Sequence, residues 1–149
     1  MTKDEADRTR GDASAFATEL GPEIREIERA LSVGPVASLQ HQYSALVRDV
    51  EDEILPLAVA RSLGVIVWSP LASGFLTDGF DVDALDDGDF RRTHPFASLD
   101  LRDLRAELRR ETGSVTAGAI RFVLRHPAVT AAIVGVRDER EGRDLGSFA

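Results

Sequence analysis

The sequence predicts an α/β protein built from parallel βαβ units, and three observations carry that expectation. Short strand-like runs, VASLQ at 36–40, VIVW at 65–68 and TAAIVGV at 130–136, alternate with segments of helical periodicity. VIVW is apolar without a break, as in a strand covered on both faces of a parallel sheet. All three runs pass into polar or glycine-containing text (SLQHQYS, VIVWSPLASG and AAIVGVR), and parallel sheets present their ligands at such C-terminal strand ends.

The elements follow in order. Residues 1–22 are charge-dense and poor in apolar side chains, so they are expected to form a disordered polar tail, with the folded part spanning 23–149. Pro22 suits the first turn of a helix in which Ile24, Ile27 and Leu31 share a face. Gly34-Pro35 breaks that helix ahead of the strand VASLQ. In DVEDEILPLAVARSLG, acids crowd the start of a second helix, Ile54 and Leu57 lie on its apolar face, and Gly64 is the expected C-cap. After VIVW and its loop, the segment 78–100 shows no clear period, and the six aspartates between 78 and 89 suggest a solvated, mobile loop. Leu101, Leu104 and Leu108 mark a helix ending near Gly113. Ser114 caps the next, and Pro127 stops it. The run TAAIVGV is the third strand, and DEREGRDLGSFA opens a last helix. Three strands are few for a parallel sheet, so two open edges are expected.

Composition removes several functions. The chain of 149 residues contains no cysteine, which excludes disulfides, thiolate catalysis and cysteine-ligated metals. A net charge of −8 opposes non-specific nucleic-acid binding. The N-terminal segment lacks the apolar core of a secretory signal, and no run is long enough to span a membrane, so a cytoplasmic address is expected. His41, His94 and His126 have no companions at ligand spacing, and the aspartates between 78 and 89 do not follow a calcium-loop pattern, so no metal is expected.

The loops after the last two strands make the case for an anion site. Ser69 and Ser73 offer hydroxyls, Gly74 admits close backbone approach, and Arg137 is a fixed cation whose fork suits phosphate. The competing readings are a strand-ending turn for WSPLASG and a solvated loop charge for Arg137.

Four pieces together, SLQHQYSALVRDVEDEILPLA, GVIVWSPLASGFLTDG, FRRTHPF and HPAVTAAIVGVRDERE, resemble the C-terminal half of an aldo-keto reductase, from about Ala30 to Ala149. The resemblance implies a partial (β/α)8 TIM barrel, its last three βα units plus a preceding helix, and reduction of carbonyls with NADP(H). By that resemblance Gln40 contacts the nicotinamide carboxamide and Trp68 stacks on the nicotinamide ring. Ser69, Leu71 and Ser73 surround the pyrophosphate, and Gly135 and Arg137 hold the adenosine 2′-phosphate. Glu141 and Leu145 stand where the family has other residues, and Glu141 with Asp144 would repel a 2′-phosphate unless neutralised.

The resemblance also implies a deficit. The family's catalytic Asp, Tyr, Lys and His lie upstream of every matched piece, and residues 1–29 contain nothing like them. Tyr43 belongs to the matched strand motif and is no candidate for the proton donor. The chain alone is therefore expected to be inactive. A complementary N-terminal barrel half, or self-association through open edges, is the expected partnership. A non-catalytic nucleotide sensor or interaction module, or a truncated product without function, is the alternative.

Overall fold

The computed structural model describes residues 21–146. Its elements are α1 (Gly21–Val33), β1 (Ser38–Gln42), α2 (Ile54–Arg61), β2 (Gly64–Trp68), α3 (Arg102–Thr112), α4 (Val115–Leu124), β3 (Val129–Ile133) and α5 (Glu139–Gly146). The strands form one parallel sheet in the order β1-β2-β3, as the alternation of strands and helices requires. Among the described residues no strand pairs with the outer edge of β1 or β3. None of their helices is long and apolar enough to cross a membrane. Of the expected tail, residues 1–20 lie outside the described residues, while Gly21 and Pro22 open α1.

Strand register divides the sheet into two unlike faces. Leu39 and His41 of β1, Val65 and Val67 of β2, and Val129 and Ala132 of β3 share one face by register. All of them except His41 belong to or pack against a core of Tyr43, Ile54, Leu55, Ala58 and Val123. Ile24, Ile27 and Leu31 of α1 join that core, as their spacing predicts. Gln40, Gln42, Ile66, Trp68, Ala131 and Ile133 occupy the other face, where none is buried. Among the described residues, only one of the two faces of VIVW is therefore covered.

Three boundaries depart from expectation. The first strand runs from 38 to 42 rather than 36 to 40, because β1 takes its register from Gly64–Trp68. The acidic start of the second helix forms a 3-10 turn, Asp49–Glu51, and the α-helix begins only at Ile54. Gly64 does not cap α2: Ser62 does so at φ 55°, and Gly64 opens β2 with its N–H donating to the Ala37 carbonyl. Its lack of a side chain is used on the bare face. A β-carbon there would meet the Thr130 side chain at 3.0 Å, where β3 carries an extra residue in its pairing with β2.

A second core lies beneath the loop after β2. Phe75 and Leu76 are fully buried against Leu46, Phe96, Leu108, Val115 and Ala119, so WSPLASGFL is anchored by its last two apolar residues. Helices α3 and α4 pass so closely that a β-carbon on Gly118 would stand 2.1 Å from the Leu108 carbonyl oxygen. Ser114 caps α4 as predicted, accepting from the Ala117 N–H.

A further cap comes from 36 residues upstream. The Asp78 carboxylate accepts hydrogen bonds from Ser114 Oγ (2.5 Å), the Val115 N–H (2.9 Å), the Thr116 N–H (3.2 Å) and Arg109 (3.1 Å). Arg105 extends the clamp by donating to the carbonyls of Phe75 (2.6 Å) and Thr77 (2.8 Å). Burial pushes the Asp78 carboxyl up, but these donors together outweigh it and hold it well below the ordinary carboxylate range.

Three substitutions test these contacts. Gly118→Ala forces α3 and α4 apart and should lower the unfolding free energy in urea by about 2–3 kcal/mol. Gly142→Ala in α5, where a β-carbon meets nothing within 4 Å, should be neutral or slightly stabilising. Asp78→Ala removes a helix cap and should cost about 1–2 kcal/mol at neutral pH. The folded carboxyl titrates below its usual 3.8, so its contribution is complete above that value and is lost as pH falls. The difference between the unfolding curves of wild type and Asp78→Ala should accordingly begin to shrink only as pH falls below about 4, and should close only well below that.

Candidate functional site

The site is built at the C-terminal ends of β2 and β3. Trp68 closes β2 as a residue 45% exposed, and its carbonyl accepts from the Tyr43 N–H. Across the bare face, Gln42 and Ile133 flank Trp68 in register, and Gln40 lies one row below, opposite Ile66. The sheet therefore brings Gln40 and Trp68 to one surface.

The chain then turns through left-handed backbone. Ser69 (φ 56°), Ala72 (φ 48°), Ser73 (φ 56°) and Gly74 (φ 96°) all have positive φ, and only the last is glycine. Each non-glycine residue there costs about 1–2 kcal/mol, and such strain gathers at ligand-binding loops. Local hydrogen bonds hold the shape: the Ala72 N–H donates to the Ser69 carbonyl, and the Gly74 and Leu76 N–H groups both donate to the Leu71 carbonyl. Ser69 Oγ accepts from the Ser73 N–H at 3.4 Å. Leu71 packs against the second core, so its backbone shapes the loop while Ser69 and Ser73 remain accessible.

Arg91, which sequence reasoning missed, reaches this loop from 17 residues away. Its Nη1 lies 3.3 Å from the point where a β-carbon on Gly74 would stand. Asp89 grips it through Nε (2.9 Å) and Nη2 (2.5 Å), and its guanidinium stands 5.7 Å from the centre of the Phe80 ring. The Asp89 hydrogen bonds raise the Arg91 pKa and draw the Asp89 carboxyl down to about 2. The pattern Asp-x-Arg was visible as a local ion pair, but its position over Gly74 was not. Arg92 ties the acidic segment down by donating to the Leu85 carbonyl at 2.7 Å.

The loop after β3 supplies a second cation. Gly135 is exposed, and Arg137 projects with 82% of its side chain accessible. Glu141 occupies it: the carboxylate accepts from Arg137 Nε (2.9 Å), Nη2 (2.6 Å) and the Arg137 N–H (2.8 Å). Asp138 caps α5 by accepting from the Glu141 N–H at 2.9 Å. Glu141 thus stands paired with Arg137 rather than as a free negative charge. Arg91 and Arg137 lie close enough that each opposes the other's charge, so two guanidinium groups from different loops share one field. An anion with several oxygens, such as a pyrophosphate, fits that field.

Other candidates are engaged elsewhere. The buried Tyr43 hydroxyl donates to Glu51 Oε1 at 2.7 Å, and burial followed by that hydrogen bond raises its pKa far above the usual value. His94 and His126 each accept a backbone N–H at 3.2 Å through Nδ1, and His41 lies 3.7 Å from Glu23. Among the described residues no group of three or more acids and histidines could hold a metal ion.

Residues 10–145 match the model of the aldo/keto reductase family. The chain belongs to that family. It is 35% identical over 124 residues to the uncharacterized oxidoreductase YrpG of Bacillus subtilis, covering 80% of this chain and 37% of that protein. It is 39% identical over 106 residues to the aldo-keto reductase str7 of Strobilurus tenacellus, covering 64% of this chain and 32% of that one. The chain thus spans about a third of the length of these relatives. The glycerol dehydrogenase AKR11B4 of Gluconobacter oxydans shares the fold with a TM-score of 0.63 at 22% identity, over 83% of this chain and 45% of its own. The fold is accordingly part of a (β/α)8 barrel, and the family match begins 20 residues earlier than the resemblance carried by the sequence motifs.

The left-handed loop gives a direct test. Ser73→Gly relieves an exposed residue at φ 56° and should stabilise the chain by about 0.5–1 kcal/mol. Ser73→Val puts a β-branched side chain there and should destabilise it by more than 1 kcal/mol, roughly. Paired urea titrations of the two variants check both signs.

Proposed function

We propose that this chain is the dinucleotide-gripping part of an NADP(H)-dependent aldo-keto reductase acting on aldehydes or ketones. The observation that carries this reading is Arg91 over the left-handed Ser69–Gly74 loop, within the field of Arg137 and next in the chain to the half-exposed Trp68. A nicotinamide cofactor, when bound, supplies the hydride for carbonyl reduction.

The residues present fit that cofactor. Trp68 offers a flat apolar surface to the nicotinamide ring, and Gln40 on the same face of the sheet offers an amide for its carboxamide. Ser69, Ser73 and Arg91 stand ready for the pyrophosphate. Gly135 and Arg137 serve the adenosine end. Pre-pairing with Asp89 and Glu141 holds both guanidinium groups in place, and an incoming phosphate exchanges one anionic partner for another. Reduction also needs a proton donor at the carbonyl oxygen, and Tyr43 does not qualify because its buried hydroxyl is committed as a hydrogen-bond donor to Glu51 on the covered side of the sheet. That donor, in this reading, belongs to barrel units outside the described residues.

Titrating the chain with NADPH while following its single tryptophan tests the reading. Saturable quenching is expected, weakened at least tenfold by Arg91→Ala. Glu141→Gln frees Arg137 and should tighten NADPH relative to NADH. Absence of quenching by either nucleotide up to millimolar concentration defeats the proposal.

A further inference from the structure

Register puts one polar side chain on the covered face of the sheet. Leu39, Val65, Val67, Val129 and Ala132 supply that face with apolar groups, and His41 stands among them, paired with Val67. Its side chain is only 15% exposed. It takes no part in the surface that carries Gln40 and Trp68, which lies on the opposite face. An imidazole is therefore held out of water at a position where the pattern of the strand asks for an apolar residue.

Its partner is on α1. Glu23, in the first turn of that helix, places Oε2 3.7 Å from His41 Nδ1. Glu23 is the charged group whose field reaches the imidazole, while Val67 from β2 and Leu39 from its own strand carry no charge. The other ionisable residues of α1 are exposed: Arg25, Glu26 and Arg29 face water, and Glu28 meets Arg61 of α2 at 3.4 Å.

The helix itself is lightly held. None of its residues is fully buried, and Ile24, Ile27 and Leu31 are half-buried against the core. It joins β1 through Val33, Gly34 and Pro35, where Val33 is 86% exposed and a β-carbon on Gly34 would meet nothing within 4 Å. The helix can thus leave the sheet without disturbing any packing at this joint. Burial pushes the His41 pKa below its ordinary 6.5, and Glu23 opposes that more weakly. With α1 docked the chain therefore binds fewer protons than with α1 released. Docking is at full strength above about pH 6.5 and weakens as pH falls toward the lowered value.

We propose that His41 is an acid-sensitive latch beneath α1: neutral, it lets the helix lie on the sheet, and protonated, it releases the helix about the Val33–Pro35 joint. Release uncovers Ile24, Ile27 and Leu31 together with the Leu39 side of β1, an apolar surface that docking hides. The latch works whether or not a nucleotide binds on the opposite face.

Amide exchange of the full 149-residue chain tests the latch, with rates corrected for the intrinsic effect of pH and read as protection factors. Amides of Ile24–Leu31 are expected to be less protected than those of β2 at every pH, because the helix opens alone. Their protection should drop at least about threefold between pH 8 and pH 5, and at most about thirtyfold, the limit for one histidine of ordinary pKa in the released state. His41→Leu places an apolar side chain among apolar neighbours and should abolish that drop. Glu23→Gln removes the group that favours the charged imidazole, so its drop should be larger than that of wild type. This second variant also covers the case in which His41→Leu repacks the face. Protection of α1 equal to that of β2, a drop that persists in His41→Leu, or a smaller drop in Glu23→Gln overturns the proposal.

Discussion

Asp78 stands where the loop after β2 meets the paired helices α3 and α4, and the arrangement of the site depends on it. One carboxylate satisfies the N–H groups of Val115 and Thr116, the hydroxyl of Ser114 and a guanidinium from α3. The first turn of a helix carries unpaired donors and a partial positive charge, so a carboxylate there is favoured twice, by hydrogen bonding and by the dipole. Arg105 does the converse, donating to carbonyls of the loop. Between them the two side chains fix the far end of WSPLASGFLTD to the helical layer. The left-handed backbone at Ser69–Gly74 is thus held from both ends, by β2 on one side and by this clamp on the other.

Positive charge at the site is prepared in a particular way. Neither Arg91 nor Arg137 waits as a bare cation, since each is gripped through two guanidinium nitrogens by an acid close in sequence. Surface pairs of this kind contribute little to stability. Their effect is geometric: they limit the rotamers of long side chains before a ligand arrives, which reduces the ordering cost of binding.

Much of this architecture was legible in the residues, and the failures share a cause. VIVW, the Ser114 cap, the glycine stop at Gly113 and the apolar stripe of α1 are local features, and each appears where its pattern places it. The places of Ser69, Ser73 and Arg137 beyond strand ends were legible because they follow strands directly. Asp78 and Arg91 were not. Asp78 read as one acid among six, and its partners lie 31 to 38 residues ahead. Arg91 sat in text without periodicity, and only folding of the Phe75–Phe80–Phe96 cluster carries it to Gly74. The shift of the first strand by two residues has the same origin, because pairing with β2 rather than local propensity sets the register.

The contact between Gly64 and Thr130 has a consequence for how such a sheet keeps time along its length. The extra residue at Thr130 advances β3 by one position against β2, and the empty space over Gly64 accepts the displaced side chain. Sliding β3 back by one residue would turn Val129 outward and bring its neighbours to the wrong side. A glycine that contributes nothing to the core therefore acts as an index mark. Any strand added beyond β3 inherits that one-residue advance, a stagger of the kind a sheet accumulates as it curls toward its own first edge.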